Sequence, residues 1–383
     1  MKHQLPALRR TIGLVALLSL VGAGSGVADA AGAGHAVAAT ATAAFYDGTT
    51  DLGATVPTSV AVAPGGRQAF VGVTAGSGPS GYSAALDVLD TATGAVTATI
   101  ALPAASSERL GQLGFSPDGS RLYVLTGQAL SVVDTATDTV LTSVAAPVQT
   151  TAPGWLQGAL TGLAVSPDGT SVYVSQYGAT AYRQNGPARV LVFSPTTGAF
   201  TTSVTLPGTY GYANGMLVRG GTDAYVSTDA GLVHLAVGAG AAPTVLATVA
   251  QPAGESGTDG VAISPDGSRI YAVATNTGLV HVISTATDTI TGTITFSSGY
   301  LDLRYPVVSG DGSSLYVVDD DVNGPKVRVA NTATRKVGRP LTDIDTDQLW
   351  GAAPGAGGST LLLTGVATPA DGGAGSVQFL PTH

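Results

Sequence analysis

From residue 45 onward, apolar residues come in short packets rather than long runs. Phe70-Val71-Gly72-Val73, Tyr123-Val124-Leu125-Thr126, Tyr173-Val174-Ser175, Tyr225-Val226-Ser227-Thr228, Tyr271-Ala272-Val273, Tyr316-Val317-Val318 and Leu361-Leu362-Leu363-Thr364 are the clearest of them. They are rich in β-branched and aromatic residues and bounded by Gly, Pro, Asp and Ser. That pattern predicts strands buried on both faces and joined by tight turns. Past residue 30 no apolar run approaches the roughly 20 residues that a membrane-spanning helix needs, even though the mean hydropathy is +0.31.

The turns between the packets are periodic. Ser116-Pro117-Asp118-Gly119-Ser120 returns as Ser166-Pro167-Asp168-Gly169-Thr170 and Ser264-Pro265-Asp266-Gly267-Ser268. Decayed copies stand at Pro64-Gly65-Gly66, Arg219-Gly220-Gly221-Thr222, Gly310-Asp311-Gly312-Ser313 and 355–359, so seven copies follow one another along the chain. Pro fixes φ, Asp caps the turn and Gly takes the positive φ at its end. A second turn follows downstream, as in Val133-Asp134-Thr135-Ala136-Thr137-Asp138-Thr139-Val140, with relatives at 89–94, 283–288 and 330–335. Its Asx and Thr side chains suit a hairpin between two apolar strands. Each unit therefore reads strand a, Pro-Asp-Gly turn, strand b, variable loop, strand c, Thr-Ala-Thr turn, strand d. Four strands in a repeat of about 40–50 residues make a propeller blade.

The Ser-Pro-Asp-Gly turn, the Tyr-Val strand and the Asp-Thr-Ala-Thr-Asp-Thr turn resemble the YVTN-repeat β-propeller family of surface-layer and YncE-like proteins. The resemblance covers roughly residues 45–381. It implies a scaffold fold and specifies little about function. The family is also similar to lactonase-type propellers and to propeller domains of copper and haem reductases, which makes a lactonase-type hydrolase the best enzymatic alternative.

The expected fold is all-β: a seven-bladed β-propeller of four-stranded antiparallel blades. The last unit offers strands near 349–352, 360–364 and 376–380 but no fourth. Residues 45–56 look like a strand d without a blade of its own. The N-terminal strand is therefore expected to complete the last blade and close the ring, removing exposed edges.

This arrangement gives the ring two unequal faces. The Pro-Asp-Gly and Thr-Ala-Thr turns share one face, while the b–c loops and d–a connections, which vary in length, share the other. Variable loops on a rigid scaffold are where binding resides. The scarce large and polar residues gather there too: Glu108, Arg109, Trp155, Gln157, Tyr210, Tyr212, Asn214, Glu255, Asp259, Asp302, Arg304, Tyr305 and Trp350. The d–a connections lead into the innermost strands, so these side chains are expected to ring the channel mouth as an aromatic-walled funnel. The competing expectation is that the aromatics plug the channel or pack beneath the loops.

Candidate chemistry is sparse. Asp319-Asp320-Asp321-Val322-Asn323-Gly324 matches the opening of a calcium loop, with Asp319, Asp321 and Asn323 as side-chain ligands. Ala330 stands where the closing acid belongs, and a solvated acidic turn is the simpler reading. Asp343, Asp345 and Asp347 alternate nearby. His234 and His281 sit in matching Leu-Val-His stretches and read as packing residues at equivalent positions of strand c. With no cysteine, two methionines and no Gly-x-Ser-x-Gly elbow, neither a thiol nor an α/β-hydrolase serine is supported, and no catalytic residue is assigned.

The N-terminus reads as an export signal: Lys2, Arg9 and Arg10, then an apolar core from Thr11 to Val21, then Ala28-Asp29-Ala30. The flanks of Arg9-Arg10 match a twin-arginine signal poorly, so a general secretory signal is expected, followed by an Ala/Gly/Thr-rich spacer at 31–44 and the propeller at 45–383. Cleavage after Ala30 takes Lys+Arg from 16 to 13 and Asp+Glu from 25 to 24, moving the net charge from −9 to −11. That balance disfavours nucleic acid. The expectation is thus a secreted, monomeric, non-catalytic binding scaffold for a glycan, peptide, cell-wall component or partner protein, with calcium as the one candidate cofactor. The alternative is a lactonase-like or metal-dependent hydrolase working on the same face.

Overall fold

The computed structural model describes residues 46–76, 82–105, 110–182, 184–255, 257–297, 301–320, 324–355, 358–366 and 374–382, all within one compact unit, 41–383. The described residues form strands and turns, without a helix.

A short strand, β1 (Gly48–Asp51), comes first. Blade 1 follows as β2 (Val56–Val62), β3 (Gln68–Ala75), β4 (Tyr82–Asp90) and β5 (Val96–Ala105). Blade 2 is β6 (Leu113–Phe115), β7 (Arg121–Leu125), β8 (Ala129–Asp134) and β9 (Thr139–Ala145). Blade 3 is β10 (Leu160–Val165), β11 (Val172–Gln176), β14 (Arg189–Ser194) and β15 (Ala199–Thr205), with a two-residue hairpin, β12 (Thr180–Ala181) and β13 (Gln184–Asn185), in its b–c loop. Blade 4 is β16 (Ala213–Arg219), β17 (Asp223–Thr228), β18 (Gly231–Ala236) and β19 (Thr244–Ala250). Blade 5 is β20 (Thr258–Ile263), β21 (Arg269–Ala274), β22 (Leu279–Ser284) and β23 (Thr289–Thr295). Blade 6 has β24 (Leu303–Val308), β25 (Ser314–Asp319) and β26 (Lys326–Asn331), and blade 7 has β27 (Gln348–Pro354), β28 (Thr360–Val366) and β29 (Gly375–Pro381).

Within each blade the strands pair antiparallel in sequence order. Blade 7 takes its outer strand from the other end of the chain: β1 pairs β29, with Gly48 opposite Phe379 and Asp51 opposite Ser376. In blade 6 the fourth position is filled by 337–341, joined to β26 only at the bridges Ala330–Val337 and Val327–Leu341. Pro340 has no N–H to add to a ladder there. The inner strands β2, β6, β10, β16, β20, β24 and β27 contact one another in that order, and β27 returns to β2, so the ring is closed.

Burial follows the layers. The second and third strands, such as β7, β11 and β17, are buried along nearly their whole length, whereas outer strands such as β15 alternate exposed and half-buried positions. Tyr123, Tyr173, Tyr225 and Tyr271 are fully buried at one repeated position of the second strand and fill the gaps between blades. The hydrophobic clusters accordingly straddle neighbouring blades, so each blade buries its apolar faces only in company.

The recurring turns bind the blades together on the short-turn face. In the first full copy Asp118 Oδ1 accepts from the Ser116 hydroxyl at 2.6 Å and from the Ser120 N–H at 3.0 Å. Gly119 has φ +72, and a β-carbon there would stand 3.2 Å from Pro64 of the preceding blade's turn. Gly169 stands likewise against Pro117 and Gly312 against Pro265. The Thr-Ala-Thr turn then clamps the Pro-Asp-Gly turn of its own blade, for Thr135 Oγ1 donates to the Gly119 carbonyl at 2.6 Å, and Thr91, Thr285 and Thr332 make the same bond to Gly66, Gly267 and Gly312.

Candidate ligand site on the variable-loop face

At the axis, the inner strands carry a register bulge at a common place. In four consecutive blades the residue at that place is Asn214, Asp259, Arg304 or Trp350, so four of the sequence-predicted residues occupy equivalent positions around one ring. In four blades a glycine (Gly162, Gly215, Gly260 or Gly351) follows the bulge residue or its counterpart and lets the inner strands approach: a β-carbon at Gly162 would collide with the Asn214 carbonyl, and one at Gly260 would stand 2.8 Å from Pro306.

The axial groups are mutually engaged. Arg304 donates to both oxygens of Asp302, Nε to Oδ1 at 2.8 Å and Nη2 to Oδ2 at 2.9 Å. Burial opposes the charge of Arg304, but the Asp302 hydrogen bond and carboxylate hold its pKa above the usual range. Burial raises the pKa of Asp259, the nearby Arg304 partly offsetting it. Tyr305 adopts φ +48 at the bulge. Trp350 is half-buried.

A second group reaches outward from the axis over blades 3 and 4. Tyr177 Oη donates to Asn214 Oδ1 at 2.5 Å, and its ring meets Tyr212 edge-on at 5.6 Å. Tyr212 and Tyr210 lie 6.5 Å apart with a tilt of 31°. Three loops are locked together here. Gly178 N–H donates to the Gly211 carbonyl at 2.8 Å, and Leu156 pairs with Thr180 in both directions. Trp155 lies beside Gly186, with Cζ3 3.8 Å from where a β-carbon would be.

Three side chains brace these loops. Asp229, in the b–c turn of blade 4, accepts from the backbone N–H groups of Thr209, Tyr210 and Tyr212 at 2.6, 2.9 and 3.2 Å. Gln149 donates to the Tyr177 carbonyl at 2.8 Å and accepts from Gly158 N–H at 2.9 Å, while Gln157 Oε1 accepts from Gln149 N–H at 2.5 Å. The expected candidate Gln157 is therefore a brace for the loop. Asp229, Gln149 and Tyr177 were not legible as site residues, because each acts on a group distant in sequence.

Despite the pinning, the aromatic surface stays open. Tyr182 is 85% exposed, Tyr210 60% and Tyr212 50%, with Leu156 beside them at 72%. These rings neither plug the channel nor pack beneath the loops.

Other expected residues are placed elsewhere. Glu255 Oε2 pairs with His281 Nε2 at 2.7 Å, so it faces the blade 4–5 boundary. The two histidines are not at equivalent positions: His234 stands opposite Tyr225 and His281 opposite Ala272, one residue out of step. Neighbouring strand positions point to opposite faces, so the two rings enter that same boundary from its two sides. His234 lies between Asp223 Oδ1 at 2.9 Å and Asp288 Oδ2 at 2.8 Å and stacks on Tyr225 at 4.3 Å. Asp319 is fully buried and held by Arg328 through Nε at 2.7 Å and Nη2 at 2.6 Å, while its Oδ1 takes no hydrogen bond. A guanidinium in direct contact leaves that carboxylate poorly suited to a divalent cation. Asp345 Oδ2 accepts from the Thr49 hydroxyl of β1 at 2.5 Å. Glu108, Arg109, Asp321 and Asn323 lie outside the described residues.

Among the described residues no three His, Cys, Asp or Glu side chains gather in metal-holding geometry, and no helix is long and apolar enough to cross a membrane. No protein-family model matches the chain, and comparison with curated proteins gives no match. Among solved structures the chain is similar to Kuenenia stuttgartiensis hydrazine synthase, at 24% identity and a TM-score of 0.50, over 66% of this chain and 72% of that one. A likeness at that identity bears on architecture alone, and together with the seven blades and the closed inner ring it establishes the protein as a β-propeller.

Proposed function

We propose that this chain is an exported binding scaffold of the YVTN-repeat kind, without catalysis of its own, that holds an extracellular ligand on its variable-loop face. The observation that carries the reading is the group of exposed rings on three interlocked loops, which Asp229, Gln149 and Asn214 hold by hydrogen bonds. Exposing several large rings costs hydration free energy, and fixing them in place limits the entropy lost when a ligand arrives. The signal-like N-terminus and the acidic balance support an extracellular setting and a partner other than nucleic acid.

One observation favours the hydrolase reading: Asp259, with its raised pKa, is the kind of carboxyl a general acid needs. Its neighbours argue against it, since Arg304 is bound by Asp302 and no second free carboxylate stands beside it among the described residues. The test immobilises the mature chain and offers neutral polysaccharides, peptides and purified extracellular proteins, with a lactone panel assayed in parallel. Retention of one class is expected, falling about tenfold in Trp155→Ala and Tyr210→Ala, as for hot-spot rings, with unchanged melting temperature. Equal retention by both variants, or lactone turnover abolished in Asp259→Asn, contradicts the proposal.

A further inference from the structure

The Thr-Ala-Thr turns of blades 1, 2, 5 and 6 each place one residue in the left-handed region: Gly94 at φ +70, Asp138 at +52, Asp288 at +50 and Arg335 at +59. In three of them that residue bonds the preceding blade. The Gly94 carbonyl accepts from Thr50 of β1 at 2.6 Å, Arg335 Nη2 donates to the Thr291 carbonyl at 3.1 Å, and Asp288 Oδ2 stands 2.8 Å from His234 Nδ1. Asp138 and Asp288 share the local sequence Ala-Thr-Asp-Thr but meet different surroundings. Opposite Phe70 of blade 1 the third strand carries Val88, whereas opposite Tyr225 of blade 4 it carries His234. Asp138 accordingly keeps a buried oxygen without a hydrogen bond, and burial, followed by the charge of Asp134, raises its pKa.

His234 is itself buried and meets an acceptor on each side. Nε2 faces Asp223 Oδ1 at 2.9 Å and Nδ1 faces Asp288 Oδ2. A carboxylate oxygen accepts and has no hydrogen to give, so both bonds form together only when both ring nitrogens carry hydrogen. A neutral ring would turn a lone pair toward one of the two carboxylates. Burial pushes the Asp223 carboxyl up, but the Thr222 and His234 hydrogen bonds, with the charges of His234 and Arg219, outweigh it and hold Asp223 below its usual range. The groups facing the ring are Asp223 and the stacked Tyr225 from β17, Asp288 from the blade 5 turn and Ala247 from β19. Arg219 of β16 adds its Nη1 3.5 Å from Asp223 Oδ2. With two hydrogens on His234, two carboxylates meet two cations. The other oxygen of Asp288 is buried without a hydrogen bond, so loss of the Nδ1 hydrogen strands that charge, a costly arrangement. His281, across the same boundary, lacks this demand. Its Nε2 meets Glu255 at 2.7 Å, but Nδ1 meets the Thr293 hydroxyl at 3.1 Å, a group that can donate to a neutral ring.

We propose that His234, carrying two hydrogens between Asp223 and Asp288, is a proton-operated lock that joins blade 4 to blade 5 and lets go as the pH rises. An unfolded histidine titrates near roughly 6.5. Bonds that need the charged ring stabilise the fold below that value, and their contribution is lost as the pH rises and the folded ring gives up a hydrogen. The lock belongs to the short-turn face and is independent of the binding reading above.

The test follows nitrogen-15 spectra of the histidine-labelled chain and its melting temperature from about pH 5 to about pH 9. The His234 signals are identified by their loss in His234→Gln or, should that variant not fold, by their shift in Asp288→Asn. They are expected to show hydrogen on both nitrogens at about pH 6 and on one at about pH 9, with the melting temperature falling over the same interval. Asp288→Asn keeps a side chain that tolerates positive φ and offers an N–H to a neutral Nδ1. It should lower the melting temperature at the acid end by about 2 °C or more and flatten the fall. Asp138→Asn, at the equivalent turn without a histidine, should keep the slope of the unaltered chain. A single hydrogen on His234 at about pH 6, or an undiminished slope in Asp288→Asn, overturns the lock.

Discussion

Asp118, Asp266 and Asp311 make the same three-way contact at the same point of their blades, each accepting from a Ser hydroxyl two residues before and from the N–H and hydroxyl of the Ser two residues after. These bonds favour the charged form. The Ser116, Ser264 and Ser309 hydroxyls foremost, then the turn N–H groups, hold the three carboxyls at about 2, below the 3.8 usual for an aspartate. Because the folded value lies below the unfolded one, the turns contribute stability that is present above about pH 4 and is lost as pH falls toward 2. Denaturant melts across that window should show a falling midpoint, and Asp118→Asn should flatten the slope. A midpoint constant from pH 5 to pH 2 would contradict the assignment. The role of these residues was legible in the sequence, since every bond lies within five positions of the aspartate. That of Asp229 was not, because its partners lie 17 to 20 positions away on the preceding connection.

Among the elements, β1 is the one whose place depends most on distant sequence. It donates and accepts along β29, and its flank reaches into blade 1: the Tyr46 N–H donates to the Thr91 carbonyl at 2.7 Å and Thr50 Oγ1 to the Gly94 carbonyl at 2.6 Å. Tyr46 also meets Phe379 edge-on at 5.6 Å. The strand thus ties both sides of the ring's seam. Deleting 45–51 is expected to lower the melting temperature sharply or to yield aggregates through the exposed edge of β29. Tyr46→Ala, a milder change at a half-buried ring, should cost about 2 kcal/mol. An unchanged melting temperature in the deletion would rule out the clasp. This strand could be read from the sequence because the last repeat lacks a fourth strand and the first residues supply one. The histidines could not be aligned that way. The b–c turn of blade 4 is shorter than that of blade 5, so two matching Leu-Val-His stretches fall one residue apart in register and face opposite ways.

The ring as a whole separates stability from recognition. Its short-turn face is a chain of Gly-on-Pro contacts and Thr clamps that repeats with the blades, which is why the sequence displays it so plainly. The other face varies from blade to blade, and its arrangement depends on how loops from neighbouring blades interlock. That is why the candidates divided on folding. Asn214, Asp259, Arg304 and Trp350 came to the axis, Trp155, Tyr210 and Tyr212 to an open ring surface, and Glu255 to the boundary with His281. The account's central claim is that recognition belongs to the open ring surface over blades 3 and 4. Backbone hydrogen–deuterium exchange of the chain, with and without whichever polysaccharide, peptide or protein the immobilised chain retains, tests it most directly. The account predicts slowed exchange confined to 147–158, 177–187 and 207–212, and protection on the Pro-Asp-Gly face, at 116–120 or 264–268, or nowhere in the ring would contradict it.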